Sequence, residues 1–111
     1  MKKIAIPLEN GRLCDHFGHC QQFAIFETEN DSIVSENYLT PPPHEPGLLP
    51  AWLAEKGVTH IIAGGMGQRA LNLFSQQNIQ VCVGAPSETP AVLIEEWMKG
   101  ALKTGPNVCD H

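Results

Sequence analysis

The sequence predicts a single α/β domain, residues 1–111, in which helices pack on a mixed β-sheet. Two observations lead to this fold class. The first half of the chain contains three apolar runs of strand length separated by loop and turn signals, as in an antiparallel meander. The second half alternates strand-length apolar runs with helical periodicity, which indicates right-handed parallel crossovers. A chain of 111 residues has the length of one domain.

The first half is predicted to form three strands. The first covers residues 2–7 and ends at Pro7, because proline interrupts a strand ladder. The second covers residues 22–27 and the third residues 33–39, whose polar second part suits a sheet edge. Residues 8–21 are rich in Gly, Asn and Asp and are predicted to be a loop.

The second half is predicted to alternate helices and strands behind a rigid proline-rich connector, residues 40–47, of polyproline-like conformation. Gly57 and Asn78 follow the first two helices as candidate C′ residues, and Thr89-Pro90 opens the third. The predicted elements are helix 48–56, strand 58–63, helix 68–77, strand 79–83 and a last helix reaching about residue 99.

Composition narrows the function classes. The net charge is −5, and the seven Lys and Arg residues form no cluster beyond Lys2-Lys3, which argues against a nucleic-acid partner. No apolar run is long enough for a signal peptide or a membrane span, so we expect a cytoplasmic protein. In a reducing compartment, four cysteines are better explained as ligands or reactive thiols, with a Cys14–Cys20 disulfide as the alternative.

Metal-ligand residue types are concentrated in two segments. Cys14-Asp15-His16-Phe17-Gly18-His19-Cys20 places two thiols and two imidazoles in one predicted loop, and the chain ends on Cys109-Asp110-His111. Thiolate and imidazole suit zinc, copper(I) and iron–sulfur clusters. The predicted metal ligands are Cys14, His16, His19, Cys20, Cys109 and His111. The alternative is that the cysteines are buried packing residues and that the last three residues are an unattached terminus.

A glycine loop follows the predicted strand 58–63. Gly64-Gly65-Met66-Gly67 opens a helix, and Arg69 adds positive charge two residues after Gly67. Backbone N–H groups at a helix N-terminus attract anions, so these five residues are predicted to contact an anionic cofactor. The loop matches neither a Walker loop nor a dinucleotide fingerprint, and a simple tight turn is the alternative.

The Cys/His loop at residues 14–20 and the glycine loop at residues 64–67 can meet in the predicted fold. If the strands 2–7 and 58–63 are parallel neighbours, the loops that follow them leave the same edge of the sheet, where open α/β sheets bind ligands. The loop at Gly84 opens on that edge too. Residues 100–111 could span about 35 Å when extended, which is enough to return to it.

Several short motifs of the chain resemble those of a known family. Ile4-Ala5-Ile6-Pro7, Asp15-His16-Phe17-Gly18, Phe23 and the Gly64–Gly67 loop are similar to the dinitrogenase iron–molybdenum cofactor biosynthesis family, the NifX-like domain also found at the C-terminus of NifB. The resemblance covers essentially the whole chain. It assigns the family histidine to His16 and the glycine loop to Gly64, Gly65 and Gly67.

The resemblance implies a ribonuclease H-like fold with a five-stranded mixed sheet of order 3-2-1-4-5, in which strand 2 is antiparallel. It implies binding, storage or transfer of an iron–molybdenum cofactor or its precursors rather than catalysis, with cluster-assembly or acceptor proteins as partners. His19, Cys14, Cys20 and the Cys109-Asp110-His111 segment exceed the core family pattern, so a related metal–sulfur cluster is also a candidate cargo.

Two other functions are alternatives to a cluster carrier. A hydrolase or nuclease would need carboxylates on the central strands, but Ile4-Ala5-Ile6 and Ile61-Ile62-Ala63 contain none. A zinc-stabilised or thiol redox-sensing interaction module would use the same thiols and imidazoles, with zinc in place of the cluster. Cys82 and His60 lie on predicted strands and are interpreted as packing residues.

Overall fold

The computed structural model describes residues 2–14, 21–30, 32–41, 48–86 and 88–100. Within these ranges the chain forms six strands and three helices. In chain order they are β1 (Lys2–Glu9), β2 (Arg12–Leu13), β3 (Gln22–Glu29), β4 (Ser32–Leu39), α1 (Leu48–Glu55), β5 (His60–Ile62), α2 (Gln68–Gln76), β6 (Gln80–Cys82) and α3 (Pro90–Met98). The predicted polyproline-like connector falls largely on residues 42–47, outside the described residues.

All six strands belong to one mixed sheet. Its path is β4-β3-β1-β5-β6, and β2 pairs with β1 off this path. The β1–β3 and β3–β4 pairs are antiparallel, whereas β1–β5 and β5–β6 are parallel. The mixed α/β architecture predicted from the sequence is confirmed.

The strand count differs from the expected five because Arg12 and Leu13, which were predicted to be loop, form a strand. Asn10 and Gly11 both adopt positive φ, 54° and 80°, which is the geometry of a two-residue hairpin turn that asparagine and glycine favour. This turn folds Arg12 and Leu13 back onto Glu9 and Leu8 as β2.

The expectation that Pro7 ends the first strand is also wrong, since β1 runs to Glu9. The carbonyl of Pro7 accepts a hydrogen bond from the Cys14 N–H at 2.9 Å, so the side on which proline lacks a donor faces β2. Pairing with β3 therefore continues past Pro7 to Leu8 and Gln22.

The sheet separates two hydrophobic cores because β-strand side chains alternate between its faces. On β1, Ala5 points to one face and Ile4 and Ile6 to the other. Helices α1 and α2 cover the first face, and α3 covers the second. The first core includes Phe23, Ile25, Leu53, Ile61, Met66 and Phe74, and the second includes Ala24, Phe26, Ile62, Leu93 and Ile94.

The helix ends follow the sequence signals closely. Gly57 and Asn78, after α1 and α2, have φ of 83° and 60°, as expected of C′ residues. The parallel strands are shorter than predicted, although hydrogen bonding continues beyond them, for example from the Thr59 N–H to the Lys3 carbonyl at 2.8 Å. Among the described residues, no helix is long and apolar enough to cross a membrane.

Candidate functional site

The segments that follow β5 and β6 stay hydrogen-bonded to each other beyond the strands. The Ala63 N–H donates to the Cys82 carbonyl at 2.8 Å, and the Gly84 N–H donates to the Gly64 carbonyl at 2.9 Å. A third bond joins the Ala85 N–H to the Ala63 carbonyl at 3.2 Å. These bonds hold the glycine loop and the Gly84 loop side by side at the carboxyl edge of the parallel strands.

The β1–β2 hairpin brings a third segment to this edge. β3 pairs with β1 from Lys2 to Leu8, so β2 must lie on the other side of β1, beyond the end of β5. The Leu13 N–H donates to the Glu88 carbonyl at 2.9 Å, which ties β2 to the segment before α3. The segments after β1, β5 and β6 therefore meet at one edge of the sheet.

The glycine loop combines a buried part with an exposed end. Gly64, Gly65 and Met66 are buried, and Met66 packs in the α1–α2 core, which anchors the loop. Gly67 is exposed and is the N-cap residue of α2, with φ −66° and ψ 157°. A Cβ atom built on Gly67 would meet no atom within 4 Å, so the space in front of the helix is open.

The N-terminus of α2 has the electrostatics of an anion site. No side chain caps it, and its first turn contains no acidic residue. Its first N–H groups have no acceptor one turn earlier in the helix, and the aligned peptide dipoles add partial positive charge. Arg69, in that first turn, is exposed and contributes a full positive charge.

Cys14 follows β2 directly and is only 3% exposed. Leu13 packs in the α3 core, so strand alternation directs Cys14 to the α1–α2 side. Cys14 and Cys82 are not disulfide-bonded. Cys14 thus lies at the predicted edge, but its side chain is directed into the protein rather than toward solvent.

The other predicted ligands fall outside the described residues: His16, His19 and Cys20 within residues 15–20, and Cys109 and His111 within residues 101–111. Among the residues that the structure describes, no group of three or more His, Cys, Asp or Glu side chains could hold a metal ion. Of the residues predicted for the site, the structure therefore describes the glycine loop, Arg69 and Cys14.

Two potential ligands lie apart from this group. Burial raises the pKa of the half-buried Cys82 thiol, and strand register places Cys82 beside Ile62 on the α3 side. His60 begins β5, at the opposite end of the strand, where its Nδ1 lies 2.7 Å from Thr59 Oγ1 and its ring 5.2 Å from that of Trp97. Burial, and secondarily the charge of Lys2, lower the pKa of His60. Both residues fit the packing role predicted for them.

Arg12 is a further charged residue at this edge, and it is not part of either predicted motif. It is exposed on β2, opposite Glu9, and lies in the hairpin at the same edge of the sheet as the glycine loop. The signal that could have found it is Asn10-Gly11, which predicts the hairpin and hence the position of Arg12.

Comparison with known proteins decides the family. The sequence model of a family described as "Dinitrogenase iron-molybdenum cofactor" matches residues 1–100. The chain belongs to this dinitrogenase iron–molybdenum cofactor family. The resemblance noted in the sequence is thereby confirmed.

Several known proteins are similar to this chain in sequence or in structure. The uncharacterized protein MJ0580 of Methanocaldococcus jannaschii is 40% identical over 86 residues, which is 73% of each chain. The crystal structure of PH0822 superposes with a TM-score of 0.87 at 26% identity, covering 92% of this chain and 93% of the other. The apo form of the orange protein from Desulfovibrio gigas gives a TM-score of 0.78 at 18% identity, with 96% and 95% covered, which is a likeness of fold.

The glycine loop and the histidine that the family resemblance singled out differ in whether the structure describes them. Gly64, Gly65 and Gly67, which the resemblance assigned to the site, lead into the uncapped N-terminus of α2. The family histidine, His16, lies outside the described residues. The described geometry is accordingly that of the glycine loop and the first turn of α2.

Proposed function

We propose that this protein binds, stores or transfers an iron–molybdenum-type cofactor, a related metal–sulfur cluster or a precursor of either during cluster assembly. It would act in the cytoplasm as a carrier that receives its cargo from assembly proteins and delivers it to acceptor proteins. The observation that carries the proposal is the uncapped, acid-free N-terminus of α2 at the edge where the segments after β1, β5 and β6 meet. Family membership supports the same function.

The cargo would be held by two kinds of group. Sulfido-metal clusters are often anionic, and an anion at the end of α2 would be stabilised by the free N–H groups, the helix dipole and Arg69. Gly67 would let the cargo approach the backbone closely, because it is exposed and lacks a side chain, and the buried Gly64, Gly65 and Met66 would hold that backbone in position. The thiols and imidazoles of Cys14, His16, His19, Cys20, Cys109 and His111 would supply the metal ligands.

The central strands support a carrier rather than a hydrolase. Two-metal phosphoryl chemistry requires carboxylates that project from such strands. Ile4, Ala5 and Ile6 of β1 and Ile61 and Ile62 of β5 are instead fully or almost fully buried in the two cores. We extend the proposal to the fold type, and assign the sheet to a ribonuclease H-like variant in which β2 is an added strand.

The test is anaerobic reconstitution with iron, sulfide and molybdate, followed by gel filtration, metal analysis and an absorbance spectrum. We expect iron and a visible charge-transfer band to co-elute with the protein. The double variant His16→Ala/Cys20→Ala should lose most of both. The matched control His44→Ala/Cys82→Ala removes the same two residue types from positions not assigned to the site, and it should retain the cargo.

Two results would count against the proposal. One is a colourless wild-type protein after reconstitution. The other is equal loss of iron in the site variant and the control, which would indicate non-specific binding by any thiol or imidazole. Cys14→Ala is measured separately, because Cys14 is buried and could have a packing role. If Cys14 only packs, the substitution lowers stability alone. If Cys14 is a metal ligand, the substitution lowers the amount of bound iron as well.

A further inference from the structure

β4 is an outer strand whose free edge is unusually open to pairing. It is eight residues long and pairs with β3 on one side, and within the described ranges no strand pairs with its other side. Outer strands are commonly protected from association by proline, lysine or bulges. β4 contains neither proline nor lysine, its one charged residue is Glu36, and its irregularity lies near its start, opposite Glu27 and Thr28.

The surface of β4 is also apolar for an exposed strand. Ile33, Val34 and Tyr38 are 42%, 52% and 48% exposed. They are three of the four exposed large hydrophobic side chains in the described part of the chain, and the fourth is Val92 on α3. Such clustering on one strand marks an interaction surface more than scattered exposure does.

We propose that β4 pairs antiparallel with β4 of a second copy of this chain, across a two-fold axis at Asn37, and so forms a dimer with a continuous sheet. In antiparallel pairing about such an axis, residues directly opposite one another share a face of the sheet. The register must therefore pair Glu36 with a residue of its own face.

Charge and hydrogen bonding favour this register over one with the axis at Glu36. Glu36 and Tyr38 stand opposite Phe26 and Ala24 of β3, so both project to the α3 side. An axis at Glu36 would set two carboxylates against each other, which is unfavourable. An axis at Asn37 instead sets each Glu36 opposite the partner's Tyr38. Within one chain the Tyr38 hydroxyl already donates to Glu36 Oε2 at 2.9 Å, so these groups suit the same bond across the axis.

The α3 side of β4 leaves room for the second copy. A groove of about 790 Å³ runs between α3 and the strands β3 and β4, lined by residues that include Phe26, Ile33, Glu36 and Met98. Pairing along one strand buries less area than a standard protein interface of about 1,600 Å², so we expect a concentration-dependent dimer rather than a permanent one. The inference does not depend on the cargo.

Sedimentation velocity on the full chain tests the dimer, over loading concentrations from about 1 to 500 µM, a range that brackets micromolar dissociation constants. We expect a shift from monomer to dimer. Asn37→Lys places two ammonium groups opposite each other at the axis and should raise the dissociation constant about fivefold or more. Gln76→Lys adds the same charge on the exposed face of α2 and should leave it unchanged. Thermal unfolding should show both variants folded, since both positions are exposed.

Cross-linking tests the register. Asn37→Cys would face its own copy across the axis and should give a disulfide-linked dimer under mild oxidation. Glu36→Cys, one residue away, would face Tyr38 and should give no more than the wild-type background. A chain that stays monomeric throughout the concentration range would overturn the proposal. So would a dimer that is insensitive to Asn37→Lys, or one in which Glu36→Cys cross-links and Asn37→Cys does not.

Discussion

The two ends of the parallel strands differ in whether their polar groups have partners within the protein. At the amino end, Thr59 Oγ1 accepts a hydrogen bond from the Lys3 N–H at 3.0 Å, and the Lys2 ammonium lies 5.4 Å from the centre of the Trp97 ring. At the carboxyl end, the first turn of α2 has no side-chain cap and faces open space at Gly67. The amino end pairs its polar groups within the protein, whereas the carboxyl end leaves the first turn of α2 without a side-chain cap.

The largest expected effect lies at the amino end. Thr59→Val preserves the branched shape but removes the acceptor of the Lys3 N–H. Leaving a partly buried donor without its partner should lower the free energy of unfolding by about 2 kcal/mol. Urea denaturation measures this change. Iron retention after reconstitution should be unaffected, and a parallel loss of iron would contradict the division between the two ends.

A smaller effect with the opposite pattern is expected from Gly67→Asp. The aspartate would cap α2, and its negative charge would interact favourably with the positive end of the helix dipole. The free energy of unfolding should therefore rise by a few tenths of a kcal/mol. The same carboxylate would compete with an anionic cargo and should weaken its binding about tenfold. Gly67→Ala is the control, because φ −66° suits alanine and the Cβ meets no neighbour. Unchanged cargo affinity in Gly67→Asp would remove the anion site from the account.

Arg69→Gln should reduce cargo affinity about fivefold, the size expected when one exposed favourable charge is lost. Stability should not fall, because a positive charge in the first turn of a helix is slightly unfavourable for that helix. The dissociation constant of the cargo is measured by titration of this variant and of Lys56→Gln. Lys56→Gln is the control, because it removes the same charge from another exposed position. An equal effect of both substitutions would point to net charge rather than to the end of α2.

The smallest effect concerns pH. Burial and Lys2 lower the folded-state pKa of His60 below the unfolded value of about 6.5. The unfolded chain therefore binds the proton more readily, and the stability contributed by neutral His60 is present above the unfolded pKa and is lost as pH falls below it. His60→Gln should lose less stability than wild type between neutral and mildly acidic pH. Thermal unfolding at several pH values measures this, and identical pH profiles would contradict it.

The sequence predicted the elements with strong local signals and failed where two signals competed. The ends of the first two helices were predictable because glycine and asparagine are the residues that most readily adopt positive φ, as Gly57 and Asn78 do. β2 was not predicted, although Asn10-Gly11 is a strong hairpin signal, because β2 is only two residues long and too short to show strand alternation in the sequence. The extension of β1 through Pro7 depends on which side of the strand the missing donor faces, and tertiary pairing alone determines that side.

The candidate site was predictable only in part. The meeting of the glycine loop with the segment at Cys14 follows from parallel topology, which hydrophobic periodicity indicates. The burial of Cys14 does not follow from the motif, because its direction is set by strand alternation in β2. The roles of His16, His19, Cys20, Cys109 and His111 remain predictions.

Metal analysis, with an absorbance spectrum, of protein purified without oxygen and without chelators tests the central claim most directly. The account predicts iron, with or without molybdenum, together with a visible charge-transfer band that disappears on exposure to oxygen. Zinc alone in an amount close to that of the protein would contradict it, and would replace the cluster carrier with a zinc-stabilised domain of the same family.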